Sequence, residues 1–299
     1  MSITKFIILG SVHDPDTYFC RHIINRIAKK FSGKIEYEFD AVLELDFQIA
    51  LENYRAQYAT DLFGYSHSHI VFRNDKIIGS LMDLVEITIQ EYRIDDAEIA
   101  NTMQFEKEAR EKSLEAIETT GHPAVFIELF RDMEAEGKED ESCGKLVIEL
   151  FNNICPLACD NFIKLCTGEC GSVDGVKLSY RNCPLHRLVQ NGWVQCGDIV
   201  DGSGSNSRSV TGEHIRDESF SIEFDSKLGG IVGYVSSGPH SNGSQFFITL
   251  GDCEWMNCTK VGFGRVIQGY GVLRMLNKTN CNNQRPFPKI YIGDCGIVK

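Results

Sequence analysis

The sequence has no apolar run near the roughly 20 residues that a membrane-spanning helix needs, so no such helix is expected. Its first residues, Met1 to Lys5, lead only into the short run Phe6 to Leu9, with neither a long hydrophobic region nor a small-residue cleavage site. An export signal is therefore not expected. No CxxC motif occurs among the 12 cysteines, and no histidine completes a zinc spacing beside Cys155 and Cys159 or Cys166 and Cys170. Reduced thiols and no bound metal are the expectation. Basic residues are outnumbered: 30 Lys and Arg against 42 Asp and Glu leave a formal charge of −12, with no basic stripe. Binding to nucleic acid or to an anionic membrane is disfavoured.

What remains is a 299-residue chain, 42% hydrophobic and 24% charged, which matches a soluble globular protein and suggests two domains. Charge is uneven. Acidic residues outnumber basic ones 13 to 10 over 1–93, 8 to 3 over 94–121, and 21 to 17 over 122–299. In the first stretch Lys5 to Gly10 reads as a buried strand, and Asp14-Pro15-Asp16 offers a turn and an N-cap. Phe19, Ile23, Ile27 and Phe31 then recur every four residues, a helical apolar stripe. Ile35 to Leu43 alternates like a strand, Leu45 to Tyr58 reads as a helix, Ile70 to Gly79 as a hairpin turning at Asn74-Asp75, and Ser80 to Tyr92 as a last helix. Asp95 to Thr120, with Ile99, Met103, Phe105, Ala109 and Leu114 at near-helical intervals, reads as an acidic helical connector capped by Asp95 or Asp96. Gly121 and Pro123 end it.

The element order over 1–93 resembles the thioredoxin fold, and His69 to Ser80 resembles the second half of a glutaredoxin. The resemblance implies an α/β thioredoxin-like sandwich. Thiol exchange needs an attacking thiolate at the first helix N-terminus. The loop there, Gly10 to Thr17, carries none; Cys20 falls inside the helix, and Ser68-His69 stands where the family has its cis-proline. A packing or docking module is the expectation. His13, His67 and His69 lack acidic companions at ligand spacing and read as solvated loop histidines.

From His122 the pattern changes to short strands bounded by glycine turns. Ala124 to Phe130 and Lys145 to Phe151 flank an acidic loop, Met133 to Cys143, and Pro156 to Cys166 follows as a helix. An all-β sandwich or barrel is expected. The strings Cys155 to Phe162, Leu165 to Glu169, His186-Arg187, Gln195 to Asp198, Phe220 to Phe224, Ser237 to Ile248, Glu254-Trp255 and Val261 to Gly264 then resemble successive cyclophilin motifs in the correct order. The resemblance covers 122–299. It implies an eight-stranded antiparallel barrel with two capping helices, the second near Tyr270 to Leu276, and peptidyl-prolyl cis-trans isomerase chemistry on proline-containing segments of proteins, without cofactor. The two-domain layout resembles family members associated with motile cilia, so a cytoplasmic location, extending to a ciliary axoneme, is expected.

Carried over residue by residue, the resemblance puts the catalytic arginine at Arg187, beside His186. Gln195 and Gln245 fall at carbonyl-side polar positions, Phe247 and Met256 at the walls of the proline pocket, and Trp255 at its rim. Phe246, next along the strand, should face the core. Four departures matter. The family's Phe-Met pair in the pocket falls on Gly192-Trp193, a small groove-floor alanine on Val235, a backbone-pairing asparagine on Ser236, and a pocket histidine on Lys260. Losing one buried ring costs about 1–3 kcal/mol of binding, and an ammonium resists desolvation beside an apolar site. Two readings stay open: an isomerase of reduced efficiency, or a cyclophilin-like docking protein in a larger assembly.

Overall fold

Apolar alternation and helical stripes place seven elements between residues 4 and 92 of the computed structural model, which describes residues 3–58, 60–94, 102–133 and 139–299. They are β1 (Thr4–Ser11), α1 (Pro15–Lys30), β2 (Ile35–Val42), α2 (Glu44–Gln57), β3 (His69–Arg73), β4 (Lys76–Gly79) and α3 (Leu81–Tyr92). The sheet order is β2-β1-β3-β4; β1 runs parallel to β2 and antiparallel to β3. A parallel neighbour requires a crossover, which α1 supplies. That helix starts where the side chain of Asp14 accepts from the Asp16 amide, carries Pro15 in its first turn, and buries Phe19, Ile23 and Ile27. The β3–β4 hairpin turns through Asn74 and Asp75 at φ 49° and 61°, the left-handed pair that a two-residue hairpin demands.

The acidic segment differs from the expected connector. Its helix, α4 (Thr102–Thr119), lies in the first of two compact units, which divide between Thr120 and Gly121. Phe105 is buried and stacks on Phe19 with ring centroids 5.1 Å apart; Ala109 is buried one turn on; Arg21 and Glu108 pair at 2.6 Å. Composition hid this, because the acidic residues occupy one face and a four-residue apolar spacing the other. Asp95, Asp96 and Ile99, the expected start of the connector, lie outside the described residues.

The second unit runs β5 (Ala124–Arg131), β6 (Glu141–Leu150), α5 (Pro156–Thr167), β7 (Ser172–Val173), β8 (Val176–Lys177), β9 (Arg187–Val189), β10 (Trp193–Cys196), β11 (Ile231–Tyr234), β12 (Phe246–Thr249), β13 (Gly262–Gln268), α6 (Tyr270–Asn277), β14 (Cys281–Asn282), β15 (Arg285–Pro286) and β16 (Ile290–Ile297). Eight of these strands form one antiparallel sheet, ordered β16-β5-β6-β13-β11-β12-β10-β9. The segment before β9 returns to β16: Leu185 N–H donates to the Ile290 carbonyl at 2.9 Å, and Ile292 N–H to the Cys183 carbonyl at 3.0 Å. The sheet edges thus meet. Phe246 packs edge-on against Phe162 of α5, with centroids 5.0 Å apart, while Phe247 joins a different cluster, as alternation along β12 requires.

All twelve cysteines are free thiols. Cys155 and Cys159 donate to the Gly262 and Phe263 carbonyls, each at 3.5 Å, and burial pushes their thiols up to about 11 and about 12. They pack α5 against β13.

Candidate functional site

Strand register assembles the site. Arg187 on β9 lies opposite Gln195 on β10, Gln195 opposite Phe247 on β12, and Phe247 opposite Gly233 on β11. Directly opposed residues in antiparallel strands share a face, so the guanidinium, the amide and the ring form one row. Gly233 makes the row possible: a Cβ there would stand 2.6 Å from the Phe247 ring. Sequence reasoning missed Gly233, although a glycine inside a strand is a signal of close approach.

Trp193, two residues before Gln195, occupies the same face. Its ring meets Trp255 edge-on with centroids 5.5 Å apart, and the Arg187 guanidinium lies 5.2 Å from its centre. Arg187 is exposed, and its Nε donates to Gln284 Oε1 at 2.7 Å. Gln284 sits at φ 63° in the β14–β15 turn, which places its side chain beside β9. It too was missed.

The expected pocket walls are buried. Phe247 and Met256 are each 3% exposed and cluster with Phe224 and Cys253; Trp193, Ile231 and Val235 pack against this cluster. Trp255 is 63% exposed, in the middle of the short turn Glu254–Met256. Gly192, where the family's ring was expected, accepts through its carbonyl from Leu250 N–H at 2.7 Å, and a Cβ there would lie 3.2 Å from the Val189 side chain. The next residue, Trp193, brings a ring against the same cluster.

Polar partners are fixed by a loop. Gln195 Nε2 donates to Gln245 Oε1 at 2.9 Å, and Gln245 Nε2 donates to the carbonyls of Gly204 at 3.0 Å and Asn206 at 2.8 Å. Asp198 shapes that loop by accepting four backbone N–H groups, from Val200, Asp201, Gly204 and Asn206, at 2.8–3.3 Å. Burial alone would raise its pKa, but those donors hold the carboxyl below the usual range. Asp198 is therefore a positioning residue for Gln245.

His186, expected on the substrate face, is buried beside Gln245. Its ring, 7% exposed, lies against Gly204, where a Cβ would lie 2.6 Å from it. Among the described residues neither ring nitrogen has a well-formed hydrogen bond, although the Gln245 amide lies beside it. Burial pushes its pKa below the ordinary value, with Asp198 and Gln245 opposing. Ser236 and Lys260, two of the substituted positions, bond each other: Lys260 Nζ donates to Ser236 O and to Ser236 Oγ, both at 3.0 Å. Burial pushes the Lys260 ammonium below its ordinary pKa, with Asp217 opposing.

In the first unit His69 is buried. Its Nδ1 lies 2.8 Å from Asp14 Oδ2, and its Nε2 accepts from Leu81 N–H at 2.8 Å, so the ring proton sits on Nδ1. With both nitrogens spent, His69 ties the α1 loop to α3, and the grouping Asp14, Asp16 and His69 has no free imidazole for a metal. His13 Nδ1 contacts Ser11 Oγ at 2.6 Å, and His67 is exposed beside Tyr65. Cys20 is fully buried, and desolvation raises its thiol well above the ordinary value, the opposite of an attacking thiolate.

The family model described as cyclophilin type peptidyl-prolyl cis-trans isomerase/CLD matches residues 132–297. The human protein named probable inactive peptidyl-prolyl cis-trans isomerase-like 6 is 35% identical over 294 residues, covering 97% of this chain and 90% of its own length. The bovine protein of the same name is 34% identical, covering 85% and 80%. The mouse NK-tumor recognition protein is 36% identical over 162 residues, 53% of this chain but 11% of that one.

Proposed function

The chain belongs to the cyclophilin-type peptidyl-prolyl cis-trans isomerase family, and from that premise we propose that its second unit binds proline-containing segments of proteins and isomerises them slowly, with Trp193 as the group that must move first. The observation that carries this is the row Arg187, Gln195, Phe247, complete while the indole packs against the cluster that holds Phe247 and Met256. The X-Pro amide is planar by resonance, behind a barrier of roughly 18–20 kcal/mol. Twisting returns the lone pair to the prolyl nitrogen, and a guanidinium N–H aimed at that nitrogen stabilises the twisted amide more than the planar one. Gln195 and Gln245, locked together at 2.9 Å, hold a flanking carbonyl so that rotation concentrates in one bond. No bond breaks, so the reaction needs no cofactor. For Arg187 to act, its Nε must leave Gln284 or another N–H must turn toward the peptide. NMR exchange measured on an Ala-Pro peptide with the full chain tests this: slow exchange above buffer, absent in Arg187→Ala, is expected, and exchange no faster than buffer overturns it.

The substitutions at the pocket also favour a second reading, a docking protein within a larger assembly such as a ciliary axoneme, held in the cytoplasm or on that structure. The relatives named probable inactive support it, as does a first unit whose only thiol near the expected loop is buried. Detergent-resistant co-sedimentation with axonemes is the expected result, and a freely soluble monomer in extracts of ciliated cells refutes it.

A further inference from the structure

Beside the aromatic cluster runs an open groove of about 540 Å³, lined among others by Asp217, Phe220, Ser236, Pro239, Thr259 and Lys260. It begins where the cluster ends. Val235 packs on Phe247 and Met256, and Ser236 is the next residue; Met256 is bound through its carbonyl to the amide of Lys260 at 3.1 Å and to Thr259 Oγ1 at 2.7 Å. A chain whose proline lies against Met256 therefore carries its adjoining side chain into this groove.

The groove's charge is unbalanced. An ammonium has three donors, and Lys260 spends two on the neutral oxygens of Ser236. Among the described residues no carboxylate lies within ion-pair distance of it. Asp217, the one acidic group in the lining, is engaged elsewhere: Oδ1 accepts from Asn242 Nδ2 at 2.8 Å and Oδ2 from the His240 amide at 2.8 Å. Lys260 is half-buried, so water screens it incompletely, and its pKa is depressed for the same reason. Such a cation gains more from an incoming anion than an exposed lysine does, because part of its desolvation has already been met. Phe220, 41% exposed, offers an apolar bed for the methylenes of the incoming side chain.

We propose that Lys260 makes this groove a subsite for an acidic side chain, aspartate or glutamate, flanking the proline of a bound segment. This rests on the proline-binding reading above and names the class of segment bound. A net charge of −12 repels acidic partners at long range, so the preference is local to the subsite and strongest with the peptide docked.

The test uses the full chain and two capped peptides, Ala-Glu-Pro-Glu-Ala and Ala-Gln-Pro-Gln-Ala, followed by calorimetry and by emission of the two tryptophans, Trp193 and Trp255, which both lie at the site. The acidic peptide should bind about tenfold more tightly at low salt, the size of one charge-assisted bond over a neutral one. Lys260→Gln, which keeps a donor for Ser236 and so preserves the turn, should bring the two to parity, and Lys260→Arg should restore the difference. Equal binding by the wild type, or a preference that survives Lys260→Gln, overturns the subsite and leaves proline binding standing. Binding of neither peptide overturns both.

Discussion

Removing Trp193 should weaken the fold and strengthen the site. In the structure its ring is held by an edge-on contact with Trp255, a guanidinium 5.2 Å away, and the Phe247–Met256 cluster beneath it. The aromatic pair contributes about 0.5–1.5 kcal/mol beyond burial, and the exposed cation–π contact about 0.5–1 kcal/mol. Those contacts must be surrendered before a proline ring can reach Phe247. Burying that ring returns about 1.5–2 kcal/mol. Gain and loss nearly cancel, so the wild type binds simple proline peptides weakly. In Trp193→Ala the loss has already been taken in the free protein. Unfolding free energy should fall by about 2–3 kcal/mol, while affinity for an Ala-Pro peptide should rise by about tenfold, roughly 1.4 kcal/mol. Urea titration reads the first, calorimetry the second, and NMR exchange shows whether turnover rises with binding. Loss of stability with no gain in affinity refutes the reasoning, since the indole would then be a structural wall and not an occupant of the pocket.

Other perturbations separate the parts. Arg187→Ala should abolish isomerisation while lowering stability by about 1–2 kcal/mol, because the exposed side chain loses one hydrogen bond and its contact with Trp193; an unchanged NMR exchange rate would remove Arg187 from the chemistry. Phe105→Ala should destabilise the first unit by about 3–4 kcal/mol, the range for a buried aromatic truncated to alanine, and a shift under 1 kcal/mol by urea titration would return α4 to the role of solvated connector. Burial lowers the folded pKa of His186, so the unfolded chain takes up its proton first as pH falls below 6.5, and stability is lost in that direction by at most about 1.4 kcal/mol per pH unit. His186→Phe should flatten that stretch of the curve measured by denaturant midpoint; an unchanged slope assigns it to other groups. Asp198→Ala should cost about 3 kcal/mol and free Gln245, seen as altered amide shifts for Gly204 and Asn206, because four backbone donors lose their acceptor.

Periodicity disclosed most of the fold. Four-residue spacing gave α1, alternation gave the division of Phe246 and Phe247 between two clusters, and an Asn-Asp pair gave the first hairpin turn. These signals are local, and each is enforced by the chain's own geometry. Where reading along the chain went astray, the deciding contact was distant. The acidic segment looked solvated because its charge was averaged over a turn, whereas Phe105 finds Phe19 across more than eighty positions of sequence. His186 lies beside Gln245 but is buried, because the loop shaped by Asp198 packs against its ring.

The pocket shows why substitutions taken singly mislead. Counted one at a time, Gly192 opens a gap, Trp193 adds bulk, Ser236 removes a pairing group and Lys260 brings an unwelcome charge. In space they act as two pairs. The gap at Gly192 lies next to the indole that packs on Phe247 and Met256, and the ammonium of Lys260 is accepted by both oxygens of Ser236. Each pair is partly satisfied in the unbound protein: the indole packs against the apolar cluster, and two of the three ammonium donors find oxygens. A site damaged at random would have neither. Such pairs instead raise the threshold for binding without removing the guanidinium that follows it, so a ligand able to displace the indole and to offer an anion to Lys260 would regain both interactions at once. The decisive comparison is therefore additive: if the acidic peptide and Trp193→Ala each improve affinity about tenfold, together they should improve it about a hundredfold, and a combined gain no larger than either alone would mean that both act on one and the same barrier.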